Sequence, residues 1–442
     1  MYHMGMSDTI SSGQFSLAGV SAAAVTAFRE GRLASSEQQF FKAIQYYTEA
    51  LSFDRTPVHF RARVFEYRGL CFWLIGEFKA AEKDYHESLT TSDSIDQMAR
   101  ARVRLGELAD FRGEYEMAAA LYKEALQEGN LSENLLVIGR ARRGLGILDR
   151  RQGNTERALS QLTQALAIFR QGGETREQGR VLTSLGRTRQ ARGEYQQALA
   201  AHREAYILLE SVNDRWRVAQ AVNDIGECHQ ALYDIEKAHE HHQHALQLAT
   251  KAEAELLIPE IKRNLGVDLV ESGRYEEGLV YLQAALQGTR QHGNREHEAL
   301  TLYQLARAYL HHGVDGQAVQ VVLALTHVAE QLNADRYRAL AAFAHGELLY
   351  HQGRKADALS ELNLAMLAAQ TAVDRGILWK LHAAISHVTE NEEIAAVHLN
   401  IAAEFIRQTA EPLQDERLRN CFLNAPPVMA VLQAADINLN HI

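Results

Sequence analysis

The sequence predicts an all-α solenoid in which about ten helical hairpins follow one another. Three observations support this prediction. A pattern of small residues returns every 40 positions along most of the chain. Each copy of the pattern contains two stretches with the periodicity of amphipathic helices. Only 5 of the 442 residues are proline, and strong helix formers such as alanine and leucine are abundant.

The repeat is clearest in five stretches that begin at residues 101, 141, 181, 221 and 261. One position of the first helix, helix A, is small in each copy: Gly106, Gly146, Gly186, Gly226, Gly266, Ala306 and Gly346. Twelve residues later the second helix, helix B, also carries a small residue: Ala118, Ala158, Ala198, Ala238, Gly278, Ala318 and Ala358. Two earlier copies are anchored by Gly31 and Gly69, and a degraded last copy surrounds Ala383. The sequence therefore contains ten copies.

A break near "RGEY", "QGNT" or "SGRY" separates helix A from helix B in each copy. In helix B, alanines seven residues apart share one face, as Ala118 and Ala125 do. Glycine inside a helix costs about 1 kcal/mol relative to alanine. A cost repeated in every copy indicates close helix packing. We therefore interpret Gly144 and Gly146 as packing residues and not as a phosphate loop, since the GxxxxGK[ST] pattern is absent.

This pattern resembles the tetratricopeptide repeat, with Leu-Gly in helix A, Gly-x-Tyr-x-x-Ala at the break, and Ala-Leu in helix B. The resemblance covers residues 24 to 409. The usual repeat is shorter, at about 34 residues, and has a proline after helix B that is missing here. The longer version is similar to the repeats of Pins-type polarity adaptors and of bacterial STAND-type signalling proteins. The resemblance implies a right-handed superhelix whose inner groove is lined by helix A.

The chain is expected to have three parts. Residues 1–20 are predicted to form a flexible tail, and residues 21–409 the solenoid. Residues 410–442 are predicted to form a C-terminal cap and tail, with a short helix, a Pro-Pro break and a further helical turn or two. The apolar residues expected to cover the last repeat are Leu418, Phe422, Leu423, Val428 and Leu432.

Arginines are concentrated in the fourth and fifth repeats. Residues 139–192 contain 12 arginines and 4 acidic residues, a local charge of +8, whereas the whole chain has a net charge of −10. Arginine pairs in a bidentate manner with carboxylates, so we predict a groove that binds an extended, acidic peptide. The predicted groove residues are Arg140, Arg143, Arg150, Arg180, Arg187, Gln190, Asn223 and Gln230. The alternative is a solvated face whose arginines are neutralised by neighbouring repeats.

The histidine run "AHEHHQHA" (238–245) places His239 near His242, and His241 near His244, along one helix. A zinc site needs further ligands, and the sequence offers no convincing third one. His202 occupies the same repeat position as His242. We predict no metal and no cofactor here, and interpret these histidines as surface and interface residues. A pH-sensitive junction between repeats stays open.

These features favour a non-catalytic scaffold or adaptor that binds a protein partner. The alternative is a ligand-responsive regulatory or sensor module of a bacterial signalling system. A nucleophile elbow, a Walker motif, HExxH and paired cysteine sites are all absent from the sequence, so an enzyme is not predicted. Neither nucleic acid nor membrane is an expected partner, because the net charge is negative and no long apolar run is present. Three isolated cysteines and the lack of a signal peptide indicate a cytoplasmic protein, and self-association stays possible.

Overall fold

The structure, a computed structural model, describes residues 17–372 and 375–436. This part of the chain forms α-helices joined by turns and contains no β-strand. The helices are α1 (Ala22–Ser36), α2 (Phe40–Ser52), α3 (Val58–Leu74), α4 (Phe78–Thr91), α5 (Ile95–Arg112), α6 (Tyr115–Leu131), α7 (Leu135–Arg151), α8 (Thr155–Gln171), α9 (Thr175–Ala191), α10 (Tyr195–Ser211), α11 (Arg215–Ala231), α12 (Ile235–Lys251), α13 (Ile258–Glu271), α14 (Tyr275–Gln291), α15 (Arg295–His311), α16 (Asp315–Leu332), α17 (Asp335–His351), α18 (Lys355–Ala372), α19 (Arg375–Val388), α20 (Glu392–Ala410), α21 (Glu416–Leu423) and α22 (Pro426–Ala434).

The contacts between helices are those of a repeat solenoid. Odd-numbered helices up to α19 are the A helices and even-numbered helices up to α20 are the B helices. An A helix forms a hairpin with the B helix that follows in the copies from α1 to α6 and from α11 to α20, as α5 does with α6 and α17 with α18. Consecutive A helices also contact one another, as α3 and α5 or α13 and α15 do. The predicted all-α repeat solenoid is confirmed.

Contacts divide the described residues into two units. The first contains the residues up to Leu148 together with Ser160–Val181 and Ala252–Leu256. The second contains Asp149–Leu159, Leu182–Lys251 and the residues from Leu257 onward. Each unit therefore contains several complete helical hairpins of its own. None of the helices in the described ranges has the length and apolarity needed to cross a membrane.

The glycines of helix A lie beneath a large side chain of helix B. A Cβ atom added to Gly106 would lie 2.7 Å from Cε1 of Tyr122, which is itself buried. The same position of helix B, sixteen residues after the small residue, is buried throughout: Tyr47, Tyr85, Tyr122, Leu162, His202, His242, Leu282, Val322 and Leu362. Gly144 likewise meets the ring of Tyr122, so this glycine of the arginine-rich stretch is a packing residue.

The last two helices, α21 and α22, pack within the second unit. The five apolar residues that the sequence predicts in the cap are all buried, in a core shared with α10, α11, α19 and α20. Pro426 and Pro427 begin α22. Proline is tolerated in the first turn because no hydrogen-bonded N–H is needed there. The predicted N-terminal tail lies largely in residues 1–16, outside the described residues, and the predicted three-part division stays a prediction.

Candidate functional site

A cluster of charged side chains lies on three consecutive A helices, α5, α7 and α9. We call it the arginine cluster, and its members are Arg104, Glu107, Arg140, Arg143, Glu177 and Arg180. All six belong to the first unit. Arg140 and Arg180 lie exactly one repeat apart and therefore occupy the same repeat position. The repeat thus brings these side chains to the same side of neighbouring hairpins.

Each glutamate of the arginine cluster is shared by several arginines. Glu107 Oε1 accepts hydrogen bonds from Nη2 of Arg143 and Nη2 of Arg180, both at 2.8 Å. Its Oε2 accepts a third from Arg104 Nη1 at 2.9 Å. Glu177 accepts from Arg140 at 2.7 Å and from Arg180 at 3.1 Å. Four arginines therefore face two glutamates, an excess of two positive charges.

The neighbouring ion pairs do not remove this excess. Arg63 and Arg100 contact Asp96 at 3.6 and 3.1 Å, and Arg63 also lies 3.9 Å from Glu66. These two arginines are balanced by these two carboxylates. These four residues add two charges of each sign to the four arginines and two glutamates of the arginine cluster.

Burial makes this charge imbalance significant. Arg143 is only 9 % exposed, and its burial together with the nearby Arg180 lowers the pKa of the Arg143 guanidinium. Burial also raises the pKa of Glu107, but Arg180, Arg104 and Arg143 outweigh it and hold that pKa well below its usual value. The Nε atoms of Arg104 and Arg143 are buried and have no hydrogen-bond acceptor among the described residues. An added carboxylate would compensate charge and accept hydrogen bonds here.

The two other predicted groove arginines belong to the second unit. Arg187 Nη2 contacts Asp224 Oδ1 at 2.6 Å and Glu260 Oε1 at 2.8 Å. Arg150 lies 4.0 Å from Glu296, which Arg151 contacts at 2.5 Å. Both arginines therefore have acidic partners on A helices four or fewer repeats away.

The three predicted amides also bond within the second unit. Gln190 Oε1 lies 3.2 Å from Nε2 of His202. Asn223 Oδ1 accepts a hydrogen bond from Nδ2 of Asn264 at 2.9 Å. Gln230 donates to Asp268 Oδ1 at 2.7 Å. The structure thus brings Arg140, Arg143 and Arg180 together and places the other five residues in separate contacts.

The sequence-based site omitted the glutamates that hold the arginines. Glu107 occupies the same repeat position as Arg187 and Glu227, since whole numbers of repeats separate the three. Extending the groove register from the fourth repeat back to the third would have identified it. Glu177 differs, because it lies one turn before the predicted groove positions of α9, and the repeat pattern gives no sign of its role.

The histidine run lies on α12, and its members differ in burial. His242 is fully buried, and its Nδ1 lies 2.6 Å from Oδ2 of Asp268. His241 stacks on His229 with ring centroids 5.4 Å apart, and burial, with His229, lowers the pKa of His241 to about 4. His239 is partly exposed and lies 3.9 Å from Asp268. Within this run, only His242 is fully enclosed.

Comparisons with known proteins identify the repeat. Residues 97–171, which span α5 to α8, match the model of the tetratricopeptide repeat family. This match confirms the resemblance drawn from the sequence, whereas the likeness to Pins-type and STAND-type proteins stays a prediction. A comparison with curated protein sequences gives no match.

Solved structures of other repeat proteins share the fold. A Rap protein complexed with competence and sporulation factor has a TM-score of 0.53 at 13 % identity, over 88 % of this chain and 99 % of that chain. The Rap conjugation gene regulator of plasmid pLS20, in complex with the Phr* peptide, has a TM-score of 0.51 at 15 % identity, over 79 % and 95 % of the two chains. At these identities the likeness concerns the fold.

Proposed function

We propose that this protein is a non-catalytic interaction scaffold that binds an acidic segment of a partner protein at the arginine cluster. The observation that carries the proposal is the buried cluster in which four arginines face two glutamates, with Arg143 Nε lacking a hydrogen bond and Arg104 Nε only in an ion pair at 3.8 Å with Glu66 Oε1. A buried charge without compensation is unfavourable, and a carboxylate accepting from a guanidinium relieves it. An aspartate or glutamate side chain supplies this group.

The class of ligand is supported by the proteins of similar fold. One of them is a Rap protein complexed with competence and sporulation factor, and another is a Rap conjugation gene regulator in complex with the Phr* peptide. Repeat solenoids present extended surfaces that suit segments of other proteins. Arg150, Arg187, Gln190, Asn223 and Gln230 remain proposed contacts, but each already has a partner in its own chain. We therefore centre the proposal on Arg140, Arg143 and Arg180.

The test is a selection of binding peptides from a random display library on the immobilised full chain. We expect the selected peptides to be enriched in aspartate and glutamate. Their affinity should fall about 10-fold or more in a double variant, Arg140→Gln with Arg143→Gln, because each lost charged hydrogen bond contributes about 1.5–3 kcal/mol. Affinity should also fall with added salt.

The matched control is Arg354→Gln. Arg354 is exposed and pairs only with the nearby Asp357 within the described residues, so its loss should leave the affinity unchanged. Circular dichroism establishes that each variant is folded. Peptides without acidic enrichment, or equal binding by the double variant, would contradict the proposal.

A ligand-responsive sensor is the second candidate, and one feature of the second unit favours it. Gln414 N–H donates to Oε1 of Gln196 at 3.2 Å, and Phe422 stacks on Tyr233 with ring centroids 6.5 Å apart. Gln414 and α21 therefore contact residues from the middle of the sequence, and a ligand that separates these contacts would expand the second unit. Small-angle scattering with and without a selected peptide tests this, and an unchanged radius of gyration would exclude the sensor.

A further inference from the structure

Three carboxylates meet on two A helices of the second unit. Asp224 and Glu227 lie on α11, and Glu260 lies on α13. One oxygen from each lies within 4.8 Å of the others. Asp224 is fully buried and Glu260 is 7 % exposed. We call these three residues the carboxylate cluster.

Two arginines compensate the carboxylate cluster only in part. Arg187 Nη2 contacts Asp224 Oδ1 at 2.6 Å and Glu260 Oε1 at 2.8 Å. Arg263 Nη2 contacts Glu227 Oε1 at 2.8 Å. Three carboxylates against two guanidinium groups leave one negative charge uncompensated.

In two of the carboxylates, those of Glu227 and Glu260, the arginines donate hydrogen bonds to one oxygen and not to the other. Glu227 Oε1 accepts from both Arg263 and Asn264, whereas its Oε2 accepts no hydrogen bond within the described part of the chain. Glu260 Oε2 lies 3.6 Å from His297 Nε2, beyond hydrogen-bond distance. The arginines thus orient the carboxylates and leave oxygen lone pairs available.

His202 on α10 is an independent indication of a ligand. It is fully buried, and its Nε2 lies 3.2 Å from Gln190 Oε1. Because a carboxamide oxygen only accepts, Nε2 carries the proton and Nδ1 is a bare lone pair. This Nδ1 has no hydrogen-bond partner and lies 3.7 Å from Oδ2 of Asp224.

Asp224 Oδ2 also accepts a hydrogen bond from Arg187 Nε at 3.1 Å, but the lone pair of His202 Nδ1 has no donor, and a cation between the two atoms would bind both. A separation of 3.7 Å is too long for a shared proton. It suits two ligands of one metal ion, which lie about 3–4 Å apart when each metal–ligand bond is about 2.0–2.2 Å.

We propose that Asp224, Glu227, Glu260 and Nδ1 of His202 bind one divalent transition-metal ion, Mn²⁺ or Zn²⁺. An imidazole nitrogen among the ligands favours these ions over Mg²⁺ and Ca²⁺, which prefer oxygen ligands only. Gln190 fixes the tautomer of the histidine, as an acceptor behind a metal-binding imidazole commonly does. This site differs from the sequence-based expectation of no metal, which considered only the histidine run of α12.

The repeat supplies a matched control for the test. His242 occupies the position of His202 one repeat later and is also fully buried; its Nδ1 already contacts Asp268 at 2.6 Å, and its Nε2 has no hydrogen-bond partner. Other repeats carry leucine at this position, as Leu282 and Leu362 show, and both are buried over a glycine. His202→Leu and His242→Leu therefore make the same change in packing, and only His202→Leu removes a proposed metal ligand.

The experiment is calorimetric titration of the tag-free, EDTA-dialysed full chain with Zn²⁺ and, separately, with Mn²⁺. Co²⁺ serves as a spectroscopic probe, because its visible absorption reports on the ligand set. We expect one ion per chain, about 10-fold or more weaker binding by His202→Leu, and unchanged binding by His242→Leu. Glu227→Gln, at a side chain that is 23 % exposed, removes a second ligand without a change in volume and should weaken binding similarly.

Two results would overturn the metal site. If the wild-type protein does not bind the ion, the two arginines alone stabilise the carboxylate cluster. Equal binding by the wild type, His202→Leu and Glu227→Gln would locate the ion elsewhere, for example on the histidines of α12. If His202→Leu does not fold, Glu227→Gln decides between the outcomes.

Discussion

The charge excess of the arginine cluster predicts opposite effects for two substitutions at one contact. Glu107 accepts from Arg143 and Arg180 at 2.8 Å and from Arg104 at 2.9 Å. Glu107→Gln removes its charge and leaves four arginines against one glutamate. Breaking a buried ion pair from one side costs about 3–5 kcal/mol, and we expect a loss of this size. Arg143→Met instead lowers the excess to one positive charge, so the free energy of unfolding should stay within about 1 kcal/mol of wild type.

Hydrogen exchange of the amides in α5 to α9, read by mass spectrometry, measures this difference. Repeat proteins unfold non-uniformly, so a local readout is preferable to one global midpoint. Faster exchange in these helices for Glu107→Gln, but not for Arg143→Met, is the expected result. The reasoning would be refuted if Arg143→Met destabilised these helices as much as Glu107→Gln does, because the arginine would then be a required partner and not a surplus charge.

Three further predictions concern packing and protonation. Gly106→Ala should destabilise the protein by about 1–2 kcal/mol, because overpacking outweighs the helix propensity of alanine. Gly316→Ala is the control and should be neutral or stabilising, because no atom lies within 4 Å of a Cβ added there. Equal thermal melts of the two variants would contradict this prediction. Burial lowers the pKa of His382 to about 4, and the folded chain binds fewer protons than the unfolded chain between that pKa and about 6.5. Stability should therefore fall by about 2 kcal/mol as the pH drops from about 7.5 to about 5. His382→Leu should reduce this loss, and an equal pH dependence in both proteins would count against the prediction. Phe422→Ala should lower the free energy of unfolding by about 3–5 kcal/mol and speed hydrogen exchange in α20 to α22. Asn424→Ala, at an exposed position, should change neither. Unchanged exchange in Phe422→Ala would show that α20 to α22 do not depend on this core.

The sequence predicted the hairpins well because their packing is local and periodic. The glycine at 106 and the tyrosine at 122 lie on adjacent helices, so a repeat of small residues identifies the contact. Ion pairs between A helices are different. Arg180 contacts Glu107, 73 residues earlier, and Arg187 contacts Glu260, 73 residues later. These partners lie nearly two repeats apart in the sequence, and stacking of the hairpins brings them together. The repeat pattern predicts the stacking but does not predict which charged side chains pair.

In a repeat protein, equivalent positions of successive repeats can be compared with one another. A position whose residue type differs from the rest of the series is a candidate for a role beyond packing. Where helix B covers helix A, most copies have tyrosine or leucine, but two consecutive copies have His202 and His242. A buried imidazole is unfavourable unless its nitrogens are satisfied. For His242, Asp268 bonds Nδ1 at 2.6 Å and Nε2 has no hydrogen-bond partner, whereas for His202 Gln190 bonds Nε2 and the unpartnered Nδ1 lies 3.7 Å from a carboxylate oxygen. The two histidines are equivalent in sequence, and the difference in their contacts is the reason why we assign a metal to one of them.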